Sequence, residues 1–159
     1  MGLVRVQAEP FDTGAEIAKL HGNRPDIGAV ASFTGYCRGE AGSLAALELE
    51  HFPGMAESEM ARILGEAEAR WPLLGSVAIH RFGVIRPSEP IVLVAAASAH
   101  RGAAFAAAEF VMDFLKTDAP FWKREHRAGE PQTWVAAKGT DDHARARWDR
   151  EQGSGEQGR

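Results

Sequence analysis

The chain has little of what usually announces a function. One cysteine, Cys37, stands among 159 residues, so no disulfide can close within the chain and the sequence suits a reducing compartment. The longest apolar run, Ile91 to Ala97, falls far short of the roughly 20 residues that cross a bilayer. No basic start leads into an apolar stretch, so no signal peptide is visible, and a cytoplasmic location is expected. Positive charge is not in excess. Lys and Arg number 18 against 22 Asp and Glu, a net charge of -4, whereas a general nucleic-acid binder is normally basic overall. Any basic site must therefore be local. Gly-x-Gly-x-x-Gly and Walker-type loops are absent, and the six histidines show no metal-ligand spacing. Neither a metal nor a cofactor is expected.

What is present reads as an ordinary globular composition, 45% hydrophobic and 25% charged, long enough for one domain with a proper core. That domain is expected over residues 1–150. Glu151 to Arg159 lacks apolar residues and is expected to be a disordered tail. Leu3 to Ala8 alternates as a first strand. Thr13 and Glu16 have the spacing of a capping box, opening a helix that should stop at Gly22. Gly28 to Arg38 reads as a long strand with a bulge at Gly35. A small-residue connection, Arg38 to Ser43, leads to the alternating strand Leu44 to Phe52, and the two strands are expected to pair around a mobile tip. Met60, Ile63, Leu64, Ala67 and Trp71 line one face of a helix that Pro72 ends. Val77 to Ile85 and Ile91 to Ala97 follow as strands, the second buried on both faces. A third helix spans Gly102 to about Lys116, with Phe105, Ala108, Met112 and Leu115 on its apolar face. Short strands near Phe121–Glu125 and Thr133–Ala137 complete a β-α-β-β-α-β-β-α-β-β order, an α+β fold with a mixed sheet.

Cations cluster at segment ends beside aromatics, an arrangement suited to an anionic, partly flat ligand. His100 and Arg101 sit where a buried strand meets a helix start, where free amides and the helix dipole attract anions; capping by His100 with a solvated Arg101 is the plainer alternative. Lys116 ends the apolar stripe of the third helix. It either snorkels to water or stays partly desolvated as a proton donor, base or nucleophile. In a strand, Lys123 and Glu125 share one face while Trp122 and Arg124 share the other. Charges protecting an edge strand are the alternative there. Arg38 closes a strand beside a glycine loop, a natural place to grip a phosphate. Cys37 has no nearby histidine in sequence and reads as a small packed residue rather than a nucleophile.

Four stretches carry a more specific likeness: Ser32-Phe33-Thr34-Gly35-Tyr36-Cys37-Arg38; Leu49-Glu50-His51-Phe52-Pro53-Gly54-Met55; Ser98-Ala99-His100-Arg101 with Phe105; and Leu115 through Glu125, Leu-Lys-Thr-Asp-Ala-Pro-Phe-Trp-Lys-Arg-Glu. In this order they resemble the catalytic (large) subunit of molybdopterin synthase, the MoaE family, from about residue 3 to Trp148. The resemblance implies an α/β-hammerhead type fold, a largely antiparallel mixed sheet with three main helices. It implies a sulfurtransferase of molybdenum cofactor biosynthesis: a homodimer flanked by two copies of a small ubiquitin-like sulfur carrier, forming a heterotetramer. The carrier's C-terminal Gly-Gly thiocarboxylate would supply sulfur to cyclic pyranopterin monophosphate, forming the molybdopterin dithiolene. Position by position, the family's substrate contacts fall on Tyr36, Cys37, Arg38, His100, Arg101, Lys116, Lys123, Arg124 and Glu125, with Lys116 and Lys123 as the catalytic pair. Two departures are visible: Tyr36 stands where the family frequently has lysine, and the loop after Arg38 is short. A non-catalytic module binding a phosphorylated metabolite is the competing reading from another class, and a Cys37–His100 thioester hydrolase a third.

Overall fold

A computed structural model describes residues 2–129, 134–135 and 143–149. The elements run β1 (Leu3–Gln7), α1 (Thr13–His21), β2 (Ala29–Tyr36), a short 3-10 turn (Glu40–Gly42), β3 (Leu44–His51), α2 (Met55–Arg70), β4 (Leu73–Arg81), β5 (Gly83–Ile85), β6 (Pro90–Ser98), α3 (Arg101–Thr117), β7 (Phe121–Arg127) and β8 (Trp134–Val135). A last helix, α4, covers 143–149. The expected tail lies outside the described residues, as do Thr133, Ala136 and Ala137 of the last expected strand.

The α+β class holds, but the strands form two four-stranded sheets rather than one, in the orders β1-β4-β6-β2 and β5-β3-β7-β8. In the first, β1 runs parallel to β4, and β4–β6 and β2–β6 are antiparallel. In the second every pairing is antiparallel. The expected β2–β3 pair does not form. β2 zips onto β6, where its apolar residues meet a strand buried on both faces, and β3 instead takes β5 and β7 as partners. The run Val77 to Ile85 is likewise not one strand. It breaks at Gly83, whose φ of 87° suits a residue without a Cβ, and there the chain leaves the first sheet for the second.

Period-two alternation fills the core. Val92, Val94 and Ala96 of β6 face α2 and α3, meeting Met60, Ile63, Leu64, Phe110 and Val111. Leu93 and Ala95 face the other way, with Val77 and Ile79, toward Leu20 and Phe11. The second sheet has its own smaller cluster of Cys37, Leu44, Leu47, Leu49 and Ile85, and Ile91 packs against it. Ile91 also packs against the main core, so it stands at the seam.

Helix ends follow local signals only in part. α1 does end at Gly22, in the left-handed conformation (φ 56°). Its N-cap, however, is Asp12, which accepts from the Ala15 amide at 2.9 Å, and Glu16 is buried in an ion pair with Arg5 instead of closing a capping box. Phe105 is 65% exposed and leaves the expected apolar face of α3; the packed face uses Ala104, Ala107, Ala108, Phe110, Val111, Met112, Phe114 and Leu115. The register does shift between Gly35 and Tyr36, the expected bulge.

Candidate functional site

The pairing register decides which side chains enter the site. β3 meets β7 with Leu47 opposite Glu125, Glu48 opposite Arg124 and Leu49 opposite Lys123. Side chains alternate across a strand, so Leu47, Leu49, Lys123 and Glu125 share one face, and all four line a cavity of about 230 Å³. Glu48 and Arg124 share the other face, 3.7 Å apart, with the Arg124 guanidinium 4.4 Å above the Trp134 ring. Arg124 therefore points away from the cavity, against its expected place among the substrate contacts. β7 is also an interior strand, between β3 and β8, so its charges do not guard a sheet edge.

The remaining walls come from the end of β2 and the turn after it (Tyr36, Cys37, Arg38, Glu40), from Leu44 and Ile91, from His80 near the end of β4, and from Lys116 in the last turn of α3. A second hollow of about 110 Å³ adjoins it, sharing Tyr36, His80, Ile91 and Lys116 and adding Phe33, Gly35, Val92, Met112 and Leu115. One apolar lobe thus opens into one lobe rich in cations. Lys116 itself is exposed; it snorkels into the opening rather than being desolvated.

Tyr36, Cys37, Arg38, Lys116, Lys123 and Glu125 are brought together. His100 and Arg101 are not. They sit exposed at the start of the 17-residue α3, and His100 makes no side-chain cap. At 1.5 Å per residue, roughly 24 Å of helix axis separates His100 from Lys116.

Electrostatics sort the groups further. Burial pushes the Cys37 thiol up, and the carboxylates of Glu89 and Glu40 add to it, so the thiolate is disfavoured. Arg127 pairs with both Glu40 and Glu125, tying the turn after β2 to β7. Among the described residues no cluster of His, Cys, Asp and Glu is placed to hold a metal ion. A larger hollow of about 480 Å³ lies behind α3, but its rim of Arg62, Glu66, Asp118 and Arg145 is consumed in mutual ion pairs.

Sequence reasoning missed His80 and Glu40. His80 lies in a strand whose neighbours look purely structural. Its partner Phe121 stacks on it at 3.7 Å between ring centroids from a segment far along the chain, a contact no local pattern encodes. Glu40 sits in the small-residue turn, read only as a connection.

A family model described as MoaE protein matches residues 6–118. The molybdopterin synthase catalytic subunit of Mesorhizobium japonicum is 62% identical over 146 residues, 91% of this chain and 92% of that protein. Among solved structures, a molybdopterin cofactor biosynthesis protein E from Burkholderia multivorans is 52% identical, covers 94% of this chain and 97% of its own, and superposes with a TM-score of 0.80. The MoaE protein from Burkholderia ambifaria is 47% identical with a TM-score of 0.81, covering 94% and 99%. Sequence match and shared fold agree over nearly all of the chain: this protein belongs to the MoaE family.

Proposed function

We infer that this chain is the sulfur-transferring subunit of molybdopterin synthase, an enzyme of molybdenum cofactor biosynthesis. Its curated relatives bear the name molybdopterin synthase catalytic subunit. The observation that carries the reading into chemistry is the convergence of Lys116, Lys123 and Arg38 on one cavity beside an apolar wall of Leu47, Leu49 and Ile91.

A pterin needs a flat apolar surface, its phosphate needs cations, and transfer of sulfur from an acyl donor develops charge that a fixed ammonium stabilises. Lys116 acts as general acid/base and electrostatic stabiliser, with Lys123 assisting near the carrier's C-terminus. The donor is a small ubiquitin-like carrier whose Gly-Gly thiocarboxylate threads into the site as an extended, side-chain-free strand. The carrier brings the sulfur, so the buried Cys37 has no nucleophilic duty. No helix among the described residues is long and apolar enough to cross a membrane, and the reaction is assigned to the cytoplasm.

The site is shared across a homodimer, the core of a heterotetramer with two carriers. His100 and Arg101 cannot reach their own chain's Lys116, but a two-fold operation can bring them to the partner's. The exposed Phe33 and Phe105 offer apolar area for that contact. Incubation with thiocarboxylated carrier and cyclic pyranopterin monophosphate tests the whole reading. A dithiolene product is expected, and binding of the pterin without turnover would favour the non-catalytic alternative.

A further inference from the structure

His80 has no part in the mechanism described above, yet it lines both lobes of the cavity. Three constraints define its ring. The imidazole stacks on Phe121, centroids 3.7 Å apart and planes inclined by only 14°. Nδ1 lies 2.8 Å from the main-chain carbonyl of Arg81. A carbonyl can only accept, so the proton sits on Nδ1 and Nε2 keeps its lone pair. The ring is also neutral: burial drives its pKa down to about 4, and the charges of Lys116 and His51 push the same way.

Nε2 is therefore an acceptor held at one angle. Nδ1 to Arg81 is the hydrogen bond that His80 makes among the described residues, and Nε2 is not one of the sealed, unpartnered side-chain atoms. It opens on the cavity. Around it, Arg38, Lys116 and Lys123 donate only. The two carboxylates, Glu40 and Glu125, are both engaged by Arg127. Beside two carboxylates whose charge is already paired with Arg127, a ligand's neutral N–H would find in Nε2 an uncharged acceptor on the cavity wall.

We propose that His80 is a specificity-determining residue whose Nε2 accepts a hydrogen bond from a ring N–H or exocyclic amine of the substrate heterocycle, with Phe121 fixing its angle. The inference rests on the pterin reading above and adds to it the group that recognises the heterocycle rather than its phosphate. A half-buried acceptor that the ligand closes off from water discriminates, because an analogue lacking the N–H leaves it unpaired.

Two substitutions separate recognition from packing. His80→Phe keeps an aromatic ring to stack on Phe121 and removes both nitrogens. His80→Gln places an amide oxygen near the position of Nε2. Turnover of cyclic pyranopterin monophosphate with thiocarboxylated carrier is measured for each, alongside carrier affinity in a separate binding assay. The expected result is a KM for the pterin raised roughly 10-fold or more in His80→Phe, unchanged carrier affinity, and substantial recovery in His80→Gln. A wild-type KM in His80→Phe would overturn the proposal, as would equal losses in Phe and Gln variants. Should His80→Phe fail to fold, His80→Asn replaces it, since its shorter amide cannot reach the Nε2 position; Gln no better than Asn would then overturn the proposal. Wild-type protein that makes no dithiolene would sink the functional reading and this inference with it, whereas active wild type with an indifferent His80→Phe sinks this inference alone.

Discussion

The indole N–H of Trp148 donates to the Asp113 carboxylate at 2.7 Å, joining α4 to the helix that carries Lys116. The same carboxylate accepts from Arg147 at 2.8 Å. The Trp148 ring meets Trp71 and Phe110 edge-on, with centroids 5.6 and 5.4 Å away, and only 5% of the residue is exposed. Trp148→Ala should therefore cost about 3–5 kcal/mol of stability, read by denaturant unfolding. A loss below about 1 kcal/mol would mean that α4 is not held by this contact.

Lys116→Ala should lower turnover by roughly 100-fold or more while carrier binding persists, since an acid/base or charge-stabilising group acts mainly in the transition state. Cys37→Ser should keep most of the activity, because burial and the neighbouring Glu89 and Glu40 oppose its thiolate. Near-normal turnover in folded Lys116→Ala would remove the lysine from the mechanism. Complete loss in folded Cys37→Ser would restore the thiol to it.

Mixed dimers test the shared site. If His100 of one subunit serves Lys116 of the other, a heterodimer of His100→Ala and Lys116→Ala has one pocket with both residues intact, and activity returns on mixing two weak mutants. If each site lies within one chain, every pocket keeps a defect. No recovery, with subunit exchange verified, rules the shared arrangement out.

Acid should destabilise the fold through His80. Its folded pKa, about 4, lies below the ordinary 6.5, so between those values the unfolded chain takes up a proton that the folded chain refuses. The contribution is fully present above 6.5, falls as the pH drops, and levels off below about 4. Unfolding free energies at about pH 7 and about pH 5 should differ less in His80→Gln than in wild type. Parallel pH profiles would show that the ring is not held neutral.

Strand and helix positions were legible because alternation along β3 and β6 and the helical stripe of α2 report burial directly. The β7 alternation even separated Lys123 and Glu125 from Arg124 correctly as faces. The resemblance nevertheless grouped Arg124 with the substrate contacts, and only pairing with Glu48 and stacking on Trp134 show that it faces away. Pairing partners were not legible. β2 and β3 are neighbours in sequence, and nothing local says that Val30 and Phe33 zip onto β6 while Leu47 and Leu49 face β7. Asp12 rather than Thr13 caps α1, accepting from the Ala15 amide, while Glu16, the other half of the expected box, pairs with Arg5. His80 was invisible for the same reason as the sheet partition: what defines it is a distant ring.

The crossing at Gly83 has a thermodynamic consequence. β4 and β5 belong to different sheets with separate cores, and the cavity takes walls from both. A molecule filling it makes contacts that vanish when either core opens. Binding energy gained there is shared as protection, so substrate occupancy should couple the opening of the two cores into one cooperative event, slowing hydrogen exchange in strands it never touches.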